Sequence, residues 1–225
     1  MKKNKIIIVM IFILIIVGFS GCTQQDSSSD ESTDQTNLSS TENIQTILAK
    51  ADTIKSMYYE IIASITMDQY GTQNANMKIW QKKPYMKAEI TSFTNGITNT
   101  IKVIQRPEGT YNYDNQKGEY VLTEENETFV TSLQYFDNEM IKKYMNNQTQ
   151  TNFETETIDG KKATIIQYTP INDSYPMAIK IWIWNEKGVP LKATFNMSLG
   201  EITMLMDFKF IDYSFSDIPD STFSV

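Results

Sequence analysis

Around Tyr59 to Met67 the chain alternates with a period of two: Tyr59, Ile61, Ala63, Ile65 and Met67 fall on one side, Glu60, Ser64, Thr66 and Asp68 on the other. Successive strand side chains point to opposite faces, so the pattern predicts a long strand with one apolar side. The residues before it keep a different period. Ile44, Ile47, Leu48, Ala51 and Ile54 recur at helical spacing, and Ser39 with Glu42 three residues later reads as a capping box, which predicts a helix over about 42–56.

Alternation resumes in short runs separated by turn formers. Strands are predicted over 75–81, 85–93, 97–105, 110–113 and 119–123, with turns at 71–74, Asn95-Gly96, 106–109 and 115–118. Links this short cannot make parallel crossovers, so the sheet reads as an antiparallel meander. A second helical stripe of Phe129, Leu133, Phe136, Met140, Ile141 and Tyr144 interrupts it. Strands return over 152–158, 162–168, 177–185, 189–199 and 202–215. The last three are apolar on both sides: Ile179, Ile181 and Ile183 oppose Ala178, Trp182 and Trp184, while Met204, Met206, Phe208 and Phe210 oppose Leu205 and Ile211. An antiparallel sheet in water keeps one polar face. Both faces of these strands must therefore be covered, one by a helix in a curved sheet and the other inside a hollow or under another surface.

The amino terminus carries a third pattern. Lys2, Lys3 and Lys5 precede an almost wholly apolar run over 6–19, the layout of a secretory signal. The run is shorter than the ~20 residues that span a bilayer. Ser20 and Gly21 before Cys22 resemble the lipobox of exported lipoproteins, in which the cysteine thiolate takes a lipid. Residues 1–21 are thus expected to be a lipoprotein signal peptide and Cys22 the lipidated anchor. Two acyl chains are about what stable anchoring requires. Residues 22–43 are rich in Ser, Thr, Asp and Gln, too polar to form a core, and read as a disordered tether. Residues 44–225 make one domain, on the extracytoplasmic face of the cell membrane.

Charge and composition exclude more than they assign. A net charge of −7 argues against nucleic acid as a partner and against a polybasic grip on lipid heads. With Cys22 the single cysteine, no internal disulfide can form. Histidine is absent, which removes Ser-His-Asp and Cys-His nucleophile systems, the usual zinc sites and the commonest general base. The obvious carboxylate groupings for acid–base or calcium chemistry are Asp137 with Glu139, and Glu124, Glu125 and Glu127. The first two lie two apart on a helix and do not face each other, and the others suit a helix entry. No catalytic group, metal site or cofactor is assigned. Asn37, Asn126, Asn147, Asn172 and Asn196 begin Asn-X-Ser/Thr sequons. The first four are the glycosylation candidates, since Asn196 falls inside a strand.

The order of elements, a helix, a meander, an inserted helix, a Gly-turn hairpin and a closing strand, resembles the LolA/LolB-like superfamily of lipoprotein carriers, receptors and lipid-binding lipoproteins. The likeness is carried by Ile54-Lys55-Ser56, Met77-Lys78-Ile79-Trp80, Lys83-Pro84-Tyr85-Met86-Lys87-Ala88-Glu89 and Gly109-Thr110-Tyr111-Asn112-Tyr113. It continues in Ile158-Asp159-Gly160, in residues 183–190 and in residues 210–223. The resemblance implies an α+β, mainly β fold: a strongly curved antiparallel sheet forming a half-open barrel, with the N-terminal helix and the inserted helix on its concave side. It also implies a hollow that takes acyl chains. Flexible thioethers and broad rings suit such a hollow. The candidate lining is Ile61, Ile65, Met67, Met77, Met86, Trp182, Trp184, Met204, Met206 and Phe208. The expected partners are a lipid or acyl-chain ligand, the membrane through Cys22, and an envelope protein. Two other readings stay open: a surface sensor or interaction module with a filled core, and a carboxylate-dependent envelope hydrolase.

Overall fold

The computed structural model describes residues 43–68, 70–94, 96–123, 141–142, 153–169, 177–199 and 202–225. Helix α1 (Ile44–Asp52) leads into β1 (Ser56–Met67), β2 (Gly71–Lys82), β3 (Tyr85–Thr94), β4 (Ile97–Arg106), β5 (Gly109–Asp114) and β6 (Glu119–Thr123). A second run follows: β7 (Glu154–Ile158), β8 (Lys161–Tyr168), β9 (Met177–Trp184), β10 (Pro190–Leu199) and β11 (Ile202–Ser214). All eleven strands form one sheet in the order β6-β5-β4-β3-β2-β1-β11-β10-β9-β8-β7. Its two meanders join where β1 pairs antiparallel with β11, from Met67 opposite Met204 to Tyr58 opposite Ser214, with a bulge between Tyr58 and Glu60. The end strands β6 and β7 do not pair, so the sheet is not closed.

The period-two reading of β1 holds residue by residue. Tyr59, Ile61, Ala63, Ile65 and Met67 are all buried, on the same face as Met77 and Ile79 of β2, Ala88 and Ile90 of β3, and Met204, Met206 and Phe210 of β11. The same cluster runs on through Ala193, Phe195 and Met197 of β10 and Ile179, Ile181 and Ile183 of β9. Ile44, Ile47 and Leu48 of α1 cap it. Of the second helical stripe only Ile141 is described, together with its neighbour Lys142. Ile141 is fully buried in this core, and the rest of the stripe lies outside the described residues.

Two expectations need correction. The helix does not begin at a Ser39/Glu42 capping box, residues that lie outside those described. Its N-cap is Asn43, whose side chain accepts from the Gln45 N–H at 3.0 Å and so fixes the first turn at Ile44. It ends at Asp52, leaving Ile54 in the link to β1. Residues 71–74 are not a turn. Gly71, at φ +76°, closes a tighter turn, and Thr72 and Asn74 are already paired with Thr66 and Ser64.

Parts of the second face are covered by the chain itself, whereas Ala178 on β9 and Leu205 on β11 stay exposed. Over β3–β5 the C-terminal tail, ending in a 3-10 turn at Asp220–Phe223, lays Ile218 and Phe223 on Ile104, with Trp80, Tyr85, Tyr111 and Tyr120 around them. Lys82 clasps the tail: its Nζ donates to the Ile218 carbonyl at 2.8 Å and pairs with Asp220 at 2.8 Å and Asp217 at 3.2 Å. Over β8–β10, Trp182 sits with Ala163, Ile165 and Leu191. The Lys180 and Lys192 ammonium groups stand 4.8 and 4.6 Å from its ring centre, and its indole N–H donates to Glu156 at 2.7 Å. Lysine stems thus do part of the work of a missing layer.

Candidate functional site: a cleft beside the helix

At the β1 end of the core face lies a cleft of about 270 Å³. Its floor follows from strand register. Met57 stands opposite Gln81, Gln81 opposite Met86, and Met86 opposite Gln105, giving one transverse row of alternating thioethers and amides across β1–β4. The next row inward is Tyr59, Ile79, Ala88 and Val103, which is buried core. The floor is therefore the last row of the apolar face, where packing gives way to water.

The walls come from the other meander and from the helix. Ala51, Asp52, Ile54 and Lys55 border one side, the Lys83-Pro84-Tyr85 turn another, and Val189, Pro190, Phe210 and Tyr213 the third. In a flat sheet β3 and β10 would be about 19 Å apart, four strand spacings of ~4.8 Å. Met86 and Pro190 line one small cleft, so the sheet is curved there with its core face concave.

The rigid side of the cleft is aromatic. Tyr213 lies 5.3 Å from the Tyr59 ring and stacks on Phe215 at 5.8 Å and 6°, and Tyr59 also meets Phe210 at 6.1 Å. The Tyr213 hydroxyl donates to the Pro190 carbonyl at 2.5 Å, which ties β11 to the start of β10. Burial pushes its phenol well above the usual tyrosine range, with the nearby Tyr59 adding to the rise. That phenol is a neutral post in the wall.

Position matters for α1 as well. Gly188 has φ +72°, and a Cβ there would stand 2.3 Å from the Ile47 carbonyl oxygen. The β9–β10 turn therefore passes directly under the helix, and Lys50 Nζ reaches the Asn185 carbonyl at 2.7 Å. These two contacts hold the wall against the floor.

Charges gather at the rim. Asp52 is occupied by Lys142 at 3.1 Å. Lys55 and Lys83 line the opening, both exposed, and have no ion-pair partner among the described residues. Tyr58, on the opposite face, has its phenol pushed up by burial and then by Glu60, to which its hydroxyl donates. Among the described residues no group of three His, Cys, Asp or Glu side chains could hold a metal ion. No described helix is long and apolar enough to cross a membrane.

The candidate lining residues divide three ways. Ile61, Ile65, Met67, Met77, Met204 and Met206 are buried in the main core. Met86 and Phe208 are half-buried at its edge, and of the ten candidates Met86 alone lines the cleft. Trp182 and Trp184 lie on the opposite face with Ala163, Ile165 and Leu191. Met57, Gln81, Gln105, Phe210, Tyr213, Lys55 and Lys83 line the cleft and are not among the ten. Register about the two-residue turn Lys83-Pro84 would have found the pair Gln81 and Met86. Asn196 is exposed on β10, while Cys22, Asn37, Asn126, Asn147, Asn172 and the acidic groups at 124–127 and 137–139 lie outside the described residues.

No protein-family model and no curated protein matches the chain. Solved structures similar to it include a LolA superfamily protein from Nitrosomonas europaea, at 14% identity over 81% of this chain and 97% of that one, TM-score 0.37. The MucA/MucB complex of Pseudomonas aeruginosa matches at 12% identity over 81% of this chain and 59% of that one, TM-score 0.49. LprF from Mycobacterium bovis matches at 12% identity over 76% of this chain and 92% of that one, TM-score 0.39. The functional reading therefore rests on the cleft itself.

Proposed function

We propose that this protein is a lipoprotein, anchored through a diacylated Cys22 on the extracytoplasmic face of the membrane, whose half-open barrel binds a hydrophobic ligand without chemistry. The ligand is a lipid or acyl chain held in the cleft beside α1. One observation carries the reading: the Met57–Gln81–Met86–Gln105 row leaves an adaptable, partly apolar floor open to solvent next to a rigid aromatic wall. At about 270 Å³ the cleft falls just below the ~300–1,000 Å³ of ligand sites. It suits one chain better than two. Each buried CH₂ contributes about 0.8 kcal/mol, offset by the ordering of the chain.

A second reading is favoured by the filled core. Ile61, Met77, Ile79 and Ile181 are at most 2% exposed, so most of the concave face is packed by its own side chains. That suits a surface interaction module with an envelope protein as its partner. The two readings part on a titration of the full chain with a fluorescent fatty acid, alongside a Met86→Trp variant that fills the floor. Saturable binding by the parent, weakened at least tenfold in the variant, supports the ligand-binding reading. Absence of saturable binding by the parent supports the interaction module.

A further inference from the structure

We infer that the cleft takes a single-chain amphiphile with an anionic head, a carboxylate or a monophosphate, held at the rim by Lys55 and Lys83. The inference rests on the ligand-binding reading and adds the head group to it. The chain carries net charge −7, and the other described lysines around this end of the sheet are engaged. Lys82 holds Asp217, Asp220 and the Ile218 carbonyl, Lys142 holds Asp52, Lys187 pairs with Glu186 at 3.0 Å, and Lys50 reaches the Asn185 carbonyl. Lys55 and Lys83 are exposed, line the same opening and have no ion-pair partner among the described residues.

They reach the rim from separate elements, each tied to the C-terminal segment over residues 216–220. Lys55 lies in the α1–β1 link, next to Ser56, whose hydroxyl donates to the Ser216 carbonyl at 3.0 Å. Lys83 lies in the β2–β3 turn, next to the clasped Lys82. A charged head cannot follow its tail into apolar surroundings without a large desolvation cost. It stays at the mouth, where two ammonium groups meet it, while the tail lies along the row and under Phe210. The amides of Gln81 and Gln105 stand on the same floor and offer hydrogen bonds to an ester or hydroxyl next to the head. Asp52, the acid on the rim, does not repel the head, since Lys142 neutralises it.

The test is photolabelling of the full chain in phosphatidylcholine nanodiscs. The probe is a photoactivatable palmitate, adducts are mapped to the peptides carrying Met57 and Met86, and the competitors are oleate, oleoyl lysophosphatidate and uncharged monooleoylglycerol. Two exposed charge pairs should give the anionic competitors a roughly two- to thirtyfold advantage. It should shrink as salt is raised. The double substitution Lys55→Ser/Lys83→Ser should abolish the advantage, and Lys55→Arg/Lys83→Arg should keep it. Oleate competing better than lysophosphatidate would mark the head as carboxylate and the reverse order as phosphate, and either supports the inference. Equal competition by monooleoylglycerol, or an advantage that survives the serine substitutions, overturns it. Absence of probe from the cleft peptides under every condition would instead remove the ligand-binding reading on which it rests.

Discussion

Gly188 is the residue on which the site's geometry is most exposed to change. A methyl group there meets the backbone of Ile47 at 2.3 Å and Leu48 at 3.2 Å, and the positive φ disfavours any L side chain. Gly188→Ala should cost about 2 kcal/mol or more in a denaturant titration, through clash and backbone strain together. A cost below ~0.5 kcal/mol would mean that the helix does not sit on this turn. The tyrosines give a second residue-scale prediction. Tyr58, Tyr120 and Tyr213 all have phenol pKa values raised, first by burial. A phenol that holds its proton more tightly in the fold stabilises it fully below the unfolded value of ~10, and that contribution drains away as pH rises toward the folded one. With no histidine to titrate near neutrality, melting temperature should be nearly level from pH 7 to 9 and fall above about pH 10. Absorbance titration showing every tyrosine ionising near 10 would contradict this. The sequence pattern placed Gly188 at a turn, but neither its closeness to α1 nor the burial of Tyr213 could be read there. Both depend on which strands end beside the helix.

At the scale of elements, strands were far more legible than covering layers. The alternation in β1 and the Asp159-Gly160 turn define their hairpins locally, because strand period and turn chemistry are properties of a few adjacent residues. The cover over the second face was not legible. Ile218 and Phe223 are isolated apolar residues in a polar tail, and no periodicity marks them. The tail should behave as a clasped strap. Phe223→Ala removes a ring that is 3% exposed and stacks on Tyr85 at 5.7 Å, and should cost about 3 kcal/mol, the low end for a buried phenylalanine. Lys82→Ala should speed hydrogen exchange and proteolysis of residues 215–225 while leaving β8–β10 protected. Uniform loss of protection across the sheet would show instead that the strap is an integral part of the global fold.

For the whole molecule, the sheet is organised by one long-range pairing, β1 with β11, which brings Met57 and Met86 from one meander against Pro190 and Tyr213 from the other. The antiparallel class followed from the short links. The joint did not, since any two exposed edges could have met, and so the cleft beside it was not legible either. Counting methionines and tryptophans selects apolar residues wherever they lie, and most of those chosen serve the core or the opposite face. The cleft lies where the apolar rows run out, and that depends on where each hairpin ends. The measurement that tests the central claim most directly is native mass spectrometry, with organic extraction, on the full chain purified from membranes of its own host. A stoichiometric adduct beyond the mass of the lipidated chain, released on extraction as a single-chain lipid, is the predicted result. A mass accounted for by the lipidated chain alone, with no uptake of added fatty acid, would contradict it and leave the interaction module as the better account.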